Sequence, residues 1–231
     1  MRLVKSGHRT RNTLIAAAIL LAVVGVTLLL VGLNAQDHAP QPPASAAGTY
    51  AAGPHTTATP GHSPTPLVAG PRGPILPRST PTRLSIPAIG VDSTLIQLGL
   101  NADRTVQVPP LGADSKAGWY RYSPSPGQLG PSILLGHIDS AKYGPGVFYK
   151  LGALRKGNTV SVRRADNTVA VFSIDAVVKY PKDQFPTLTV YGNTDHAALR
   201  LITCGGKFDF SAHSYEDNIV AFASLISSHK A

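Results

Sequence analysis

The sequence predicts a mainly β domain over residues 82–231, a closed or nearly closed barrel of about eight strands with short helices. Three observations predict it. Short runs of β-branched, apolar and aromatic residues recur from Arg83 to Ala223, broken by turns rich in Pro, Gly and Asn. Few segments carry a helical repeat. Many short strands with little helix bury their apolar faces best when the sheet closes on itself.

The chain that precedes this domain has a different character. Arg2, Lys5, Arg9 and Arg11 crowd residues 1–12 and supply part of the net charge of +9. Residues 13–33 contain no charge and consist largely of Leu, Val, Ile and Ala. At about 1.5 Å per helical residue such a run spans roughly the 30 Å of a bilayer core, so a transmembrane helix is expected. A cleaved signal peptide would have an apolar region of only about 7–15 residues, although Asn34-Ala35-Gln36 offers a weak cleavage site. With the basic cluster ahead of the helix, the positive-inside rule places the N-terminus in the cytoplasm and the C-terminal domain outside.

Residues 34–81 are rich in Pro, Ala, Thr, Gly and Ser, with Tyr50 as their sole aromatic. Such a composition buries too little apolar surface to offset its ordering entropy, and a disordered stalk is expected. Its 48 or so residues would reach roughly 150 Å as polyproline II and about 40 Å as a flexible coil. His38, His55 and His62 fall here at irregular spacing that defines no metal site.

Within the domain, Arg83–Ile86 and Gly90–Ile96 alternate around a Pro-Ala-Ile turn, and Thr105–Val108 reads as a further strand before Pro109-Pro110. Trp119–Tyr122 is strongly aromatic. Ser132–Leu135 is continuously apolar after its serine, and Thr159–Arg163 pairs with Ala170–Lys179 across Ala165-Asp166-Asn167 as a hairpin. Leu199–Thr203 and Ile219–Ala223 complete the set.

Chemistry concentrates at two strand ends. Cys204 is the sole cysteine, set after Leu199-Arg200-Leu201-Ile202-Thr203 and before Gly205-Gly206, a pair expected to stop the strand and leave room beside the thiol. Alternation puts Cys204 on one face with Ile202 and Arg200, and Thr203 with Leu201 on the other. Outside the cytoplasm cysteines are usually paired; this one has no partner in its chain, so it is either a buried small hydrophobe or a used nucleophile. His137 follows Ile133-Leu134-Leu135-Gly136, with Asp139 two residues on to orient the ring or cap the loop. A thiol with a pKa near 8.5 is only about 3% thiolate at pH 7, so a neighbouring imidazolium is what activates it and then protonates a leaving amine.

These residues resemble a known family. Leu201-Ile202-Thr203-Cys204 and Gly136-His137-Ile138-Asp139 are similar to the cysteine and histidine segments of sortases, the membrane-anchored cysteine transpeptidases of Gram-positive bacteria. The likeness runs from about Thr82 to Leu225 and includes Arg83–Pro87 and Gly144–Leu151. Cys204-Gly205-Gly206 with Phe208-Asp209, Tyr215 and Asp217-Asn218 resembles the actinobacterial branch called class F. The resemblance implies an eight-stranded barrel with histidine and cysteine at one end. It also implies a thioester on Cys204, substrates that are secreted proteins with a C-terminal sorting signal of the Leu-Pro-x-Thr-Gly type, and a cell-wall precursor amine as acceptor.

The sequence departs from the family at one point. Sortases carry an arginine at the start of the strand after the cysteine; here Asn218 takes that place, with Glu216 two residues upstream. Asn218, Thr203, Asp139 and Arg121 are the candidates to hold an oxyanion or orient the site, and Arg200 lies about 13 Å of strand rise from Cys204. The departure keeps open a degenerate, wall-associated binding or scaffold module, and a thiol peptidase using water remains a further alternative. No Cys-x-x-Cys redox pair, phosphate loop, zinc spacing or basic-aromatic nucleic-acid platform is evident, and Asp166, Asp175, Asp183 and Asp195 are scattered. No cofactor, metal or nucleic-acid partner is expected; the residual positive charge fits a solvated face or anionic wall polymers.

Overall fold

The computed structural model describes residues 39–51 and 70–231, together with Leu14. The expected basic terminus, the expected spanning helix and stalk residues 34–38 and 52–69 lie outside the described residues, Leu14 aside. Among the described residues no helix is long and apolar enough to cross a membrane.

Eight strands close into a barrel. They are β1 (Pro81–Ile86), β2 (Val91–Leu98), β3 (Ala117–Tyr120), β4 (Gly130–Leu135), β7 (Thr159–Arg164), β8 (Thr168–Pro181), β9 (Ala197–Asp209) and β10 (Ser214–Lys230). Their order round the barrel is β1-β2-β3-β4-β9-β10-β8-β7, and β7 pairs back onto β1. Two pairs are parallel, β2 with β3 and β4 with β9; the others are antiparallel. The two-residue strands β5 (Asp139–Ser140) and β6 (Gly144–Pro145) form a separate small hairpin, and α1 (Thr187–Tyr191) is a single helical turn or so in the β8–β9 connection.

Closure makes two apolar layers. The lumen is filled from all eight strands, by Leu84, Val91, Trp119, Leu134, Val162, Phe172, Leu201 and Ala221 among others, and Phe148, Leu151 and Leu154 pack with them. A second cluster lies outside the barrel on one quadrant: Ile133 of β4, Ile202 of β9, Val220 and Phe222 of β10, Ala176 and Val178 of β8. Outward residues of a barrel normally meet water. Here they are covered by Val190 and Tyr191 of α1, by Phe185, and by a segment from far upstream that includes Ala47 and Tyr50.

That segment corrects part of the disordered-stalk expectation. Residues Ala44–Ala51 form a short 3-10 segment against β8, and the Tyr50 ring stacks on Phe222 at 4.1 Å with 19° between planes. Residues 70–80 are also held. Leu76 N–H donates to Gly127 O, and the buried Arg164 guanidinium donates to Pro77 O, Pro126 O and Asp166 Oδ2. Composition undervalues such a segment because a few apolar anchors suffice once a matching surface exists.

Two strand expectations also change. Thr105–Val108 is not a ladder strand; it contributes one antiparallel bridge, Leu100 to Val106. Gly205-Gly206 does not stop the cysteine strand, since β9 runs on to Asp209. Gly206 sits at φ +76°, and the β9–β10 register shifts between Tyr215 and Asp217, a bulge that needs glycine because a Cβ there would strike the Asp217 carboxylate.

The two buried arginines differ in how well they are satisfied. Both leave Nε unpaired, but Arg164 has three acceptors, whereas Arg200, 2% exposed, donates to Leu199 O and lies 4.6 Å over the Phe222 ring. Burial accordingly pulls the Arg200 pKa below its ordinary value. Urea unfolding should therefore show Arg200→Met as neutral or stabilising, and Arg164→Met as destabilising by ~3 kcal/mol or more. Phe222→Ala, which opens a cavity beneath Tyr50, should cost about 3–5 kcal/mol.

Candidate active site

The site is built by one parallel pairing. On β4 and β9, Ile133 faces Arg200, Leu134 faces Leu201 and Leu135 faces Ile202, and the last bond of the ladder runs from Gly136 N to Ile202 O at 3.1 Å. His137 follows Gly136 directly, just past the last bond of that ladder, and Cys204 lies two residues beyond Ile202 on β9. The apolar run before each residue is thus a neighbouring strand; His137 lies just past the end of β4, whereas Cys204 lies within β9, which continues to Asp209.

Local packing explains the glycine before the histidine. A Cβ on Gly136 would lie 2.6 Å from both Val147 Cγ1 and Phe148 Cδ2, so the chain passes under that pair only without a side chain. The backbone of His137 is then fixed by Phe148 N–H donating to its carbonyl at 3.0 Å. Its ring is held by Nε2 against Pro109 O at 2.6 Å. A peptide carbonyl only accepts, so Nε2 carries the proton and, in the neutral ring, Nδ1 is the basic nitrogen.

Cys204 is a free, half-buried thiol. Its antiparallel partner on β10 is Asn218, which in turn pairs with Tyr180 of β8. Directly opposed residues of an antiparallel pair share a face, with Cβ atoms about 4.5–5.5 Å apart, so the Asn218 amide stands beside the thiol. The residue opposite the candidate nucleophile is therefore a neutral amide.

The other candidates separate. The hydrogen bond that Asp139 makes is to another partner: its Oδ2 accepts from the Tyr215 hydroxyl at 2.5 Å. Burial, with that bond and the carboxylate charge, raises the Tyr215 pKa well above the usual phenol value. Thr203 is 4% exposed on the lumen side of β9, its hydroxyl without a hydrogen-bond partner, which excludes it from the face that carries Cys204. Arg121 follows β3, which runs antiparallel to β4, so it lies about 17 Å of strand rise from the His137 level. There its guanidinium donates to the Tyr122 hydroxyl and covers the Tyr122 ring. Arg200 is sealed under Phe222 and Tyr50. Glu216 lies at the β10 bulge and lines an open cleft of about 580 Å³ with Lys182, Asp183, Asp209, Tyr215 and Asp217.

Three participants escape sequence reasoning. Pro109 acts through its carbonyl, which any residue possesses. Gln41, which accepts the Gly206 N–H at 2.9 Å just beyond Cys204, lies 165 positions away in the chain. Tyr215 belongs to the sequence likeness, but its bond to Asp139 depends on how the β9–β10 hairpin folds over β5. A second cleft of about 440 Å³, lined by Tyr120, Tyr122, Pro131, Ile133 and Tyr191, opens on the outer face of β4. Ile133 is about 13 Å of strand rise from His137.

The hydrogen bond to Pro109 makes a measurable statement about tautomer. Nitrogen-15 NMR of the histidine ring above its pKa should find His137 protonated at Nε2 and bare at Nδ1.

Among solved structures the chain resembles sortase A from Listeria monocytogenes, at 17% identity over 67% of this chain and 92% of that one, with a TM-score of 0.48. It also resembles the SrtA sortase of Actinomyces oris, at 17% identity over 70% of this chain and 84% of that one, TM-score 0.48. Streptococcus pneumoniae sortase C is similar at 16% identity over 64% and 66% of the two chains, TM-score 0.47. No curated protein sequence matches this chain. A family model described as the sortase domain matches residues 84–226, more than half of the chain, and with the closed barrel and the paired ends of β4 and β9 it places this protein in the sortase family.

Proposed function

We propose that this protein is a membrane-anchored cysteine transpeptidase of the class F type, which cleaves a C-terminal sorting signal and passes the acyl fragment to a cell-wall amine. The observation that supports the reading is the β4–β9 pairing, whose last bond, Gly136 N to Ile202 O, lies one residue before His137 and two before Cys204. The Cys204 thiolate attacks the carbonyl carbon of the scissile peptide bond, giving an oxyanion. Asn218, beside the thiol, donates an amide N–H to that oxygen in place of a guanidinium. The oxyanion collapses, the C–N bond breaks with its electron pair on nitrogen, and the His137 imidazolium protonates the departing amine. An acceptor amine then attacks the thioester, gives its extra proton to His137, and the Cys204 thiolate leaves, restoring the starting thiolate and imidazolium.

The surroundings support an extended peptide donor. The outer face of β4 leads from His137 past Leu135 to the tyrosine-lined cleft, a path of apolar and aromatic groups suited to a Leu-Pro-containing segment. The basic residues at 1–12 and apolar run at 13–33 support an anchor with the barrel outside the cytoplasm. The neutral Asn218 supports a second reading, a sortase fold kept as a wall-associated scaffold.

Incubation with Leu-Pro-x-Thr-Gly peptides should give an acyl adduct on Cys204 that hydroxylamine removes, detected by mass spectrometry. Cys204→Ala should give none, His137→Ala should lower the acylation rate by about 10²-fold or more, and Asn218→Ala by ~10²-fold. No adduct with any peptide, together with a thiol inert to alkylation in the folded protein, would favour the scaffold.

A further inference from the structure

We propose that Tyr215 is a positioning residue that holds the His137 segment in register with Cys204. The inference rests on the transpeptidase reading for its kinetic consequence and on the hydrogen bond to Asp139 for its geometry. The β4–β9 ladder ends at Gly136, so beyond that residue no backbone pairing ties the histidine segment to the cysteine strand. The bonds that follow run elsewhere: His137 O accepts from Phe148, Ile138 O from Gly146, and β5 pairs with β6.

Tyr215 supplies the missing tie. It lies on β10 opposite Phe208 of β9, in the hairpin that also pairs Asn218 with Cys204. Its ring is fixed edge-on against Phe208 at 5.1 Å, and Phe208 is packed edge-on against Phe210 at 5.1 Å. From that anchored ring the hydroxyl reaches Asp139, two residues after His137. One hydrogen bond therefore spans from the cysteine hairpin to the histidine loop at the point where the ladder gives out. The donor is a phenol and the acceptor a carboxylate, a charge-assisted pair stronger than a neutral one. Loss of the tie lets the imidazole drift from the thiol, and displacement on the order of 1 Å costs about 10²-fold in a positioned reaction.

The test uses the full chain with Tyr215→Phe, Asp139→Ala and the double variant. Tyr215→Phe keeps the ring against Phe208 and removes only the hydroxyl. With a reactive Leu-Pro-x-Thr-Gly peptide, each single variant should lower kcat for thioester formation by roughly 10- to 100-fold with KM within about twofold, and the double variant should match the singles. Asp139→Asn retains an acceptor and should recover most of the rate, which keeps the proposal testable should Asp139→Ala fail to fold. A second readout needs no substrate: iodoacetamide alkylation of Cys204 at pH 7 should slow in Tyr215→Phe, because the thiolate loses its imidazolium partner. Unchanged kcat and alkylation in Tyr215→Phe, or losses that multiply in the double variant, would overturn the proposal. If the parent protein acylates with no peptide, the transpeptidase reading fails. The alkylation comparison then decides the positioning role alone, slower alkylation supporting it and equal rates overturning it.

Discussion

The parallel pairing of β4 with β9 is the constraint on which the rest depends. Parallel strands cannot be joined by a tight turn and need a long connection, and here that connection includes the β5–β6 hairpin, β7, β8 and α1. The pairing of residues 130–135 with 197–202 brings the His137 segment, just past the end of β4, alongside the strand that carries Cys204, although the two residues lie 67 positions apart at 137 and 204. A one-residue slip in either strand would turn its side chains to the opposite face and separate them. The deep burial of Leu134, Leu199 and Leu201 in the lumen locks the register against that slip.

The outer quadrant shows how the same strands serve a second purpose. Most barrels of this size leave their outside polar, yet β4, β8, β9 and β10 here present Ile133, Ala176, Val178, Ile202, Val220 and Phe222 outward. Residues 39–51 and α1 cover part of that surface, so the chain that leads to the barrel is also part of its wall. The segment passes close to the site: Gln41 binds the Gly206 N–H, and a Cβ on Gly152 would run into Pro40 O. Arg200 is the cost of this arrangement, a cation buried against the Phe222 ring with few acceptors.

Residues that the sequence groups as candidates divide by strand geometry. Thr203 and Cys204 are adjacent in sequence and on opposite sides of the barrel wall, because side chains alternate along a strand. Asp139 and His137 are two apart, yet the carboxylate turns to Tyr215 while the ring turns to Pro109. Arg121 is removed from the site by the antiparallel course of β3 against β4. Asn218 is the candidate that stays, because the β9–β10 hairpin sets it opposite the cysteine.

The sequence by itself determined the class of fold, the apolar runs that become most strands, and the two residues proposed to carry the chemistry, since period-two patterning and a lone thiol following an apolar run are local facts. The sortase-like segments around Cys204 and His137 were legible for the same reason. Tertiary structure alone decided which strands are parallel, which face each candidate takes, and what holds the histidine. The Pro109 carbonyl, the Tyr215 hydroxyl and the Gln41 amide act at a distance in the chain, and pairing of that kind leaves no periodic trace in the residues between. Likewise Thr105–Val108 has the composition of a strand but makes a single bridge in place of a ladder, and residues 39–51 have the composition of a tether but find a surface that receives them. Composition measures what a segment can bury, whereas burial also requires a partner, and the partner is set by the closed sheet.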